Sequence, residues 1–187
     1  MDVLELIRSR RTVRRFKSDP IPQAVLGEIL EAAMWAPSHG NTQPWEFIAV
    51  GPQGRARLLA LMQAKIDELL QAPDLPEPRR QAMLALREDF GGAPALIAVV
   101  SRPPTEELEK LEHLTSTGAA VQNLCLAAWA RDIGSVWLSV GSAPPSRPIL
   151  QVPDGATVVA LLALGYPDQV PPAPPREAAT TRLRSVP

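Results

Sequence analysis

The chain is poor in the residues that most often carry chemistry. Its 187 residues include one cysteine, Cys125, and two histidines, His39 and His113. A single cysteine excludes an intrachain disulfide framework and suits a reducing compartment. Cys125 lies in an apolar helical stretch and reads as core rather than nucleophile. Neither histidine sits in a ligand-spaced cluster, so no metal centre is expected. No carboxylate close in sequence partners His39 as a general base. No apolar run approaches the roughly 18 residues of a membrane span, and no apolar signal-peptide core follows Met1; a cytoplasmic, membrane-free protein is expected. The common phosphate and nucleophile signatures are missing too. There is no G-x-G-x-x-G after a strand and no G-x-x-x-x-G-K-[ST], and no G-x-S-x-G elbow. Nor is there an excess of one charge. A formal net charge of −1 and a pI of about 6.1 weaken any whole-surface case for nucleic acid or anionic lipid. A chain without its own catalytic machinery is what one expects where a cofactor carries the chemistry and the protein binds and orients it.

Proline, by contrast, is plentiful. The 21 prolines cluster between residues 73 and 78, 144 and 153, and 167 and 175, marking loops and an extended tail over 168–187. Between them the periodicity predicts helices near 2–9, 23–35, 55–70, 79–89, 105–131 and 144–150, with Asp2 and Thr105 as candidate caps. Strands are expected at 46–50, 95–100, 135–140 and 157–164, the second apolar throughout and so buried on both faces. Gly134 is expected to end the long helix in a left-handed conformation. This alternation indicates one three-layer sheet-and-helix domain over 1–187.

Two stretches stand out. Arg8 to Lys17 holds six basic residues in ten. It reads as a solvated face, as a nucleic-acid arm, which the neutral chain and the lack of interleaved aromatics disfavour, or as a pocket for one phosphate-bearing small ligand, with Thr12 adding a hydroxyl. The second is Ala36 to Trp45, APSHGNTQPW. Pro37 stops the preceding helix, Pro44 pushes Gln43 toward an extended conformation, and donors and acceptors crowd the loop between them.

Arg10-Arg11-Thr12-Val13-Arg14, the APSHGNTQPW loop, Gly134-Ser135-Val136-Trp137-Leu138-Ser139 and the closing Leu164-Gly165-Tyr166-Pro167 together resemble the FMN-dependent nitroreductase family, especially its short bacterial NAD(P)H nitroreductase-like members. The resemblance implies an α+β fold with a central mixed β-sheet flanked by helices. It also implies an intertwined homodimer with FMN sites at the interface, NAD(P)H as electron donor, and a nitroaromatic, quinone or related conjugated acceptor. Carried over residue by residue, Arg10, Arg11 and Thr12 match the segment that holds the flavin phosphate and ribityl chain. Arg14 matches a cation near the pyrimidine ring in some members. His39 and Gln43 match flavin-contacting loop positions, and Trp137, Leu138 and Ser139 match the strand that lines the ring. No side chain is implied as catalytic, since FMN carries the chemistry. A flavin-binding or flavin-processing protein of the same fold, without general reductase activity, is the alternative. The tail departs from the pattern. Many members end in a basic segment near the phosphate, whereas this chain ends TTRLRSVP, with Arg182 and Arg184 as the basic residues there. For the dimer, the helix ending near Arg131 is the expected core, because it is apolar on nearly every face and Gly118, Ala119 and Ala120 admit a close neighbour.

Overall fold

In a computed structural model residues 2–186 are described; Met1 and Pro187, the ends of the expected domain and tail, lie outside the described residues. Ten elements matter here. They are α1 (Val3–Ser9), α2 (Gln23–Met34), β1 (Trp45–Ala49), α3 (Pro52–Leu69), α4 (Glu77–Arg87), β2 (Ala95–Ser101), α5 (Glu107–Trp129), β3 (Gly134–Trp137), α6 (Arg147–Leu150) and β4 (Thr157–Gly165).

Local chemistry sets their ends. The Asp2 carboxylate accepts the Leu4 amide at 2.7 Å, capping α1 as expected. Gly51 precedes α3 and Pro52 opens it, the position where a missing N–H costs nothing. The cap of α5 is Glu106 rather than Thr105; the Thr105 hydroxyl and amide both donate to the Glu109 carboxylate, at 2.7 and 2.5 Å. Those two bonds hold the Glu109 carboxyl below its ordinary range.

The strands lie in the order β1-β2-β4-β3, and every ladder is antiparallel. Among the described residues the expected mixed character comes only from an isolated parallel bridge between Thr12 and Ser135. The sheet is packed on both faces. Leu96, Ala98, Val100, Leu161 and Ala163 face α3, α4 and α6. Ile97, Val99, Ala160, Leu162 and Leu164 face α2 and α5. A register shift at Val99/Val100 leaves Val159 unpaired. It restores the alternation, so that Val158 points to the same side as Leu161 and Ala163.

Three local expectations change. Gly134 does not terminate α5. Asp132 takes the left-handed turn, at φ 58°, and Gly134 begins β3. Glycine is needed there for space, because a Cβ would stand 2.5 Å from Val13 Cγ2. The third strand ends at Trp137, and a 3₁₀ turn over Ser139–Ser142 follows. Ala120 is fully buried in the core that α5 shares with Ile29 and Ala33 of α2. The close neighbour it admits is therefore a helix of its own chain.

Candidate functional site

The basic segment after α1 runs as an irregular edge beside β3. Val13 N–H donates to Ser135 O at 3.0 Å, Phe16 N–H to Gly91 O at 2.8 Å and Lys17 N–H to Tyr166 O at 2.8 Å. Val13 and Phe16 point into the core, leaving Arg14 and Arg15 exposed. Opposite Arg14 is a turn of four successive left-handed residues, Asp89 to Gly92, at φ 50°, 57°, 75° and 79°. Positive φ is uncommon for a bulky residue such as Phe90. That backbone is fastened from α3, where Arg55 bonds the Asp89 carboxylate at 2.8 Å and its carbonyl at 2.9 Å. The Arg55 guanidinium also lies 5.2 Å from the Phe90 ring centroid. Gly91 has to be glycine, since a Cβ would collide with the Arg14 carbonyl.

This path brings Arg10 and Thr12 to a small cleft between α5 and the edge strand. The cleft holds about 160 Å³ and is lined by Arg10, Thr12, Gln122, Cys125, Ser135 and Trp137, among others. Arg10 has no carboxylate partner among the described residues. Burial pushes the Cys125 thiol up, against a hydrogen bond from Ser135 and the charge of Arg10. It stays a neutral wall, in line with the sequence reading. Arg11 is spent locally, its Nη1 donating to the carbonyls of Arg8 at 2.7 Å and Arg10 at 2.9 Å.

Trp137 also borders a second cavity, on the α3–α4 side of the edge strand. It holds about 380 Å³, and its lining includes Leu61, Lys65, Leu69, Met83, Leu138 and Ser139. Trp137, 51% exposed, lines both cavities. A third hollow of about 240 Å³ brings Thr12, Arg14 and Arg15 together with Gln81 and with Pro171 and Pro172 of the tail. Trp137 is therefore common to the cleft of Arg10 and Thr12 and the cavity of Leu138 and Ser139, and Thr12 is common to the cleft and the hollow of Arg14.

His39 and Gln43 lie elsewhere. Their loop turns through left-handed backbone at Gly40, Asn41 and Gln43, the last at φ 45°. Gln43 is thus not extended as expected. Its N–H is drawn to Ser38 Oγ at 3.1 Å and its side-chain amide to Asn41 Oδ1 at 3.3 Å. His39 Nδ1 lies 3.5 Å from Glu112 of α5, a carboxylate partner that sequence proximity could not reveal. On a helix, Gly118, Val121, Gln122 and Cys125 stand roughly 9 to 20 Å further along the axis than Glu112 and are turned from it by about 80° to 180°. Within one chain the loop and the cleft therefore sit at different levels along α5.

Lys65, Gln122 and Ser135 line these cavities, and sequence reasoning passed over all three. Lys65 and Gln122 look like ordinary polar positions of helices, and only Ser135 had a signal, its place beside Trp137 in a matched motif. Among the described residues no group of three or more His, Cys, Asp or Glu side chains is placed to hold a metal ion. No described helix is long and apolar enough to cross a membrane. Arg182 pairs with Glu177 at 2.6 Å on an exposed tail.

Known proteins resemble this chain in sequence and in fold. YfhC of Bacillus subtilis, whose name assigns it provisionally to the NAD(P)H nitroreductases, is 34% identical over 171 residues, 89% of this chain and 85% of its own length. The 5,6-dimethylbenzimidazole synthase of Rhodospirillum rubrum is 33% identical over 180 residues, 92% of this chain and 85% of its own. Among solved structures, the FMN-dependent nitroreductase NfnB of Mycobacterium smegmatis in complex with NADPH superposes with a TM-score of 0.75 at 23% identity, over 98% of this chain and 97% of that one. The model of the Nitroreductase family matches residues 7–166, which takes in the basic segment, the APSHGNTQPW loop and the strand carrying Trp137: the chain belongs to the Nitroreductase family.

Proposed function

We propose that this protein is an FMN-dependent oxidoreductase that draws electrons from NAD(P)H and passes them to a nitroaromatic, a quinone or a related conjugated acceptor. The observation that carries the reading is the position of Trp137 between two unlike cavities. One offers an unpaired guanidinium, two hydroxyls and an amide. The other is walled by leucine, isoleucine and methionine side chains, with Lys65 among them. FMN has the same division, an anionic phosphate and polyol at one end and a flat, largely apolar ring at the other, so the donor set fits the group. Bound FMN supplies two-electron exchange between nicotinamide and acceptor.

The chain's own residues bind and orient. Arg10 pairs the phosphate, with Thr12 and Ser135 donating hydroxyls. Trp137, Leu138 and Ser139 form the wall against the ring. Arg14 brings a cation to the pyrimidine side, where negative charge gathers on reduction. His39 and Gln43 come from a second copy of the chain, because within one chain their loop meets α5 at Glu112, roughly 9 Å or more along the axis from the residues that line the cleft. A stripe on α5 supports that assembly. Leu108, Leu111, Thr115, Gly118 and Gln122 recur at steps of three and four, the spacing of a helix-pairing seam. Leu108 and Leu111 are 65% and 62% exposed. A Cβ on Gly118 would meet nothing within 4 Å. The stripe ends at Gly118 and Gln122, in the cleft itself, so a partner helix laid on it closes the site.

The purified protein should be yellow, release FMN on denaturation, and oxidise NAD(P)H when a nitroaromatic or quinone is added. A colourless protein that takes up no added FMN overturns the proposal. The 33% identity to a 5,6-dimethylbenzimidazole synthase favours one second reading, a flavin-processing protein without general reductase activity. That reading predicts bound FMN but no acceptor-dependent NAD(P)H oxidation.

A further inference from the structure

The Ser38–Gln43 loop is held from below by one side chain. Arg102 follows the last residue of β2 and extends the β1–β2 ladder by a step, its N–H donating to Pro44 O at 2.8 Å. Its guanidinium then doubles back. Nη2 donates to the carbonyls of Thr42 and Gln43, the second at 3.1 Å. The carbonyl of Arg102 is itself met by His113 Nδ1 at 3.4 Å. The ring of His113 is buried, with Nε2 3.4 Å from Glu109. A ladder bond, a buried imidazole and a carboxylate on α5 thus stand behind the cation that grips the loop.

The grip falls where the loop needs it. Gln43 is a non-glycine residue at φ 45°, a conformation that persists only when its surroundings over-determine it. Two consecutive carbonyls directed at one cation orient the Thr42–Gln43 peptide plane. In a trans peptide that turns the Gln43 N–H the opposite way, where Ser38 Oγ receives it. The direction of the Gln43 side chain follows from the same plane.

We propose that Arg102 is a positioning residue: it holds the Ser38–Gln43 loop in the one shape in which His39 and Gln43 meet the flavin of the partner copy. This rests on the reading of that loop as flavin-binding. The test uses full-length Arg102→Met and Arg102→Lys beside wild type, with two measurements. Amide hydrogen exchange on the apoproteins reads the grip without flavin. Exchange at Asn41–Gln43 should quicken at least tenfold in Arg102→Met, with β2 and β4 unchanged. FMN titration reads the consequence, a dissociation constant raised about tenfold for methionine and about threefold for lysine, which keeps a charge but reaches one carbonyl at most. Unchanged loop exchange overturns the grip. Quickened exchange with a wild-type dissociation constant overturns the positioning role. Should the methionine variant fail to fold, the same two criteria apply to the lysine variant. Wild type that binds no FMN while Arg102→Met still loosens the loop sinks the flavin reading of the loop and, with it, the positioning role, leaving only the grip.

Discussion

Arg10 and Arg11 are adjacent and chemically identical, yet the fold gives them different work. Arg10 faces a cleft without a carboxylate partner, whereas Arg11 has its guanidinium folded onto two backbone carbonyls. A charge-assisted hydrogen bond contributes about 1.5–3 kcal/mol. Arg10→Ala should therefore weaken FMN binding about tenfold to a hundredfold, and Arg11→Ala by less than about threefold. Titration of each apoprotein with FMN measures both, and equal losses would show that the two side chains exchange roles on binding. The contrast was beyond the sequence, where both arginines match one motif. What separates them is a local turn that spends one guanidinium and leaves the other free.

At the level of elements, the path of the basic segment depends on how close it comes to β3. Val13 lies against Gly134 so tightly that a methyl group there would stand 2.5 Å from its side chain. Gly134→Ala should destabilise the fold by about 1–3 kcal/mol, the usual cost of overpacking a full core. It should also push Thr12, beside Val13, out of register with Ser135. Urea unfolding gives the first quantity, and an unchanged midpoint would mean the segment yields without cost. The helices and strands themselves were legible from periodicity because amphipathic spacing is a local property, and each was found within a few residues of its expected place. Thr105 and Gly134 were misread for a shared reason. Cap and turn residues identify themselves by composition, but a carboxylate at Glu109 and a side chain at Val13 decide what they do.

For the whole molecule, α5 divides its surface between two duties. Ala120, Val121, Leu124 and Ala128 fill the core against the sheet and α2, while Leu108, Leu111, Thr115, Gly118 and Gln122 form the outward stripe. Leu111→Glu should lower homodimer content and FMN occupancy together, because a partner that dissociates takes the His39–Gln43 loop with it. Light scattering beside flavin absorbance measures the pair, and a monomer that keeps full FMN would refute a shared site. Ala120 is the wrong position for this test. A charged side chain there would break a buried core and report folding alone.

The sequence by itself determined the layout. Alternating apolar periods, proline-marked breaks and the order of four motifs led to an α+β fold, to the family, and to most of the stretches that line the cavities. Such information is local, carried by spacing along the chain. Only the tertiary structure decided which residues meet. Trp137 stands between a polar cleft and an apolar cavity because β3 is an edge strand with α5 on one side and α3 and α4 on the other. His39 finds Glu112, and Arg102 finds the loop carbonyls, across separations that no local pattern encodes. The physical reason is that a motif fixes backbone shape over a few residues, whereas a guanidinium's partner depends on which surfaces the packed core brings within hydrogen-bond reach.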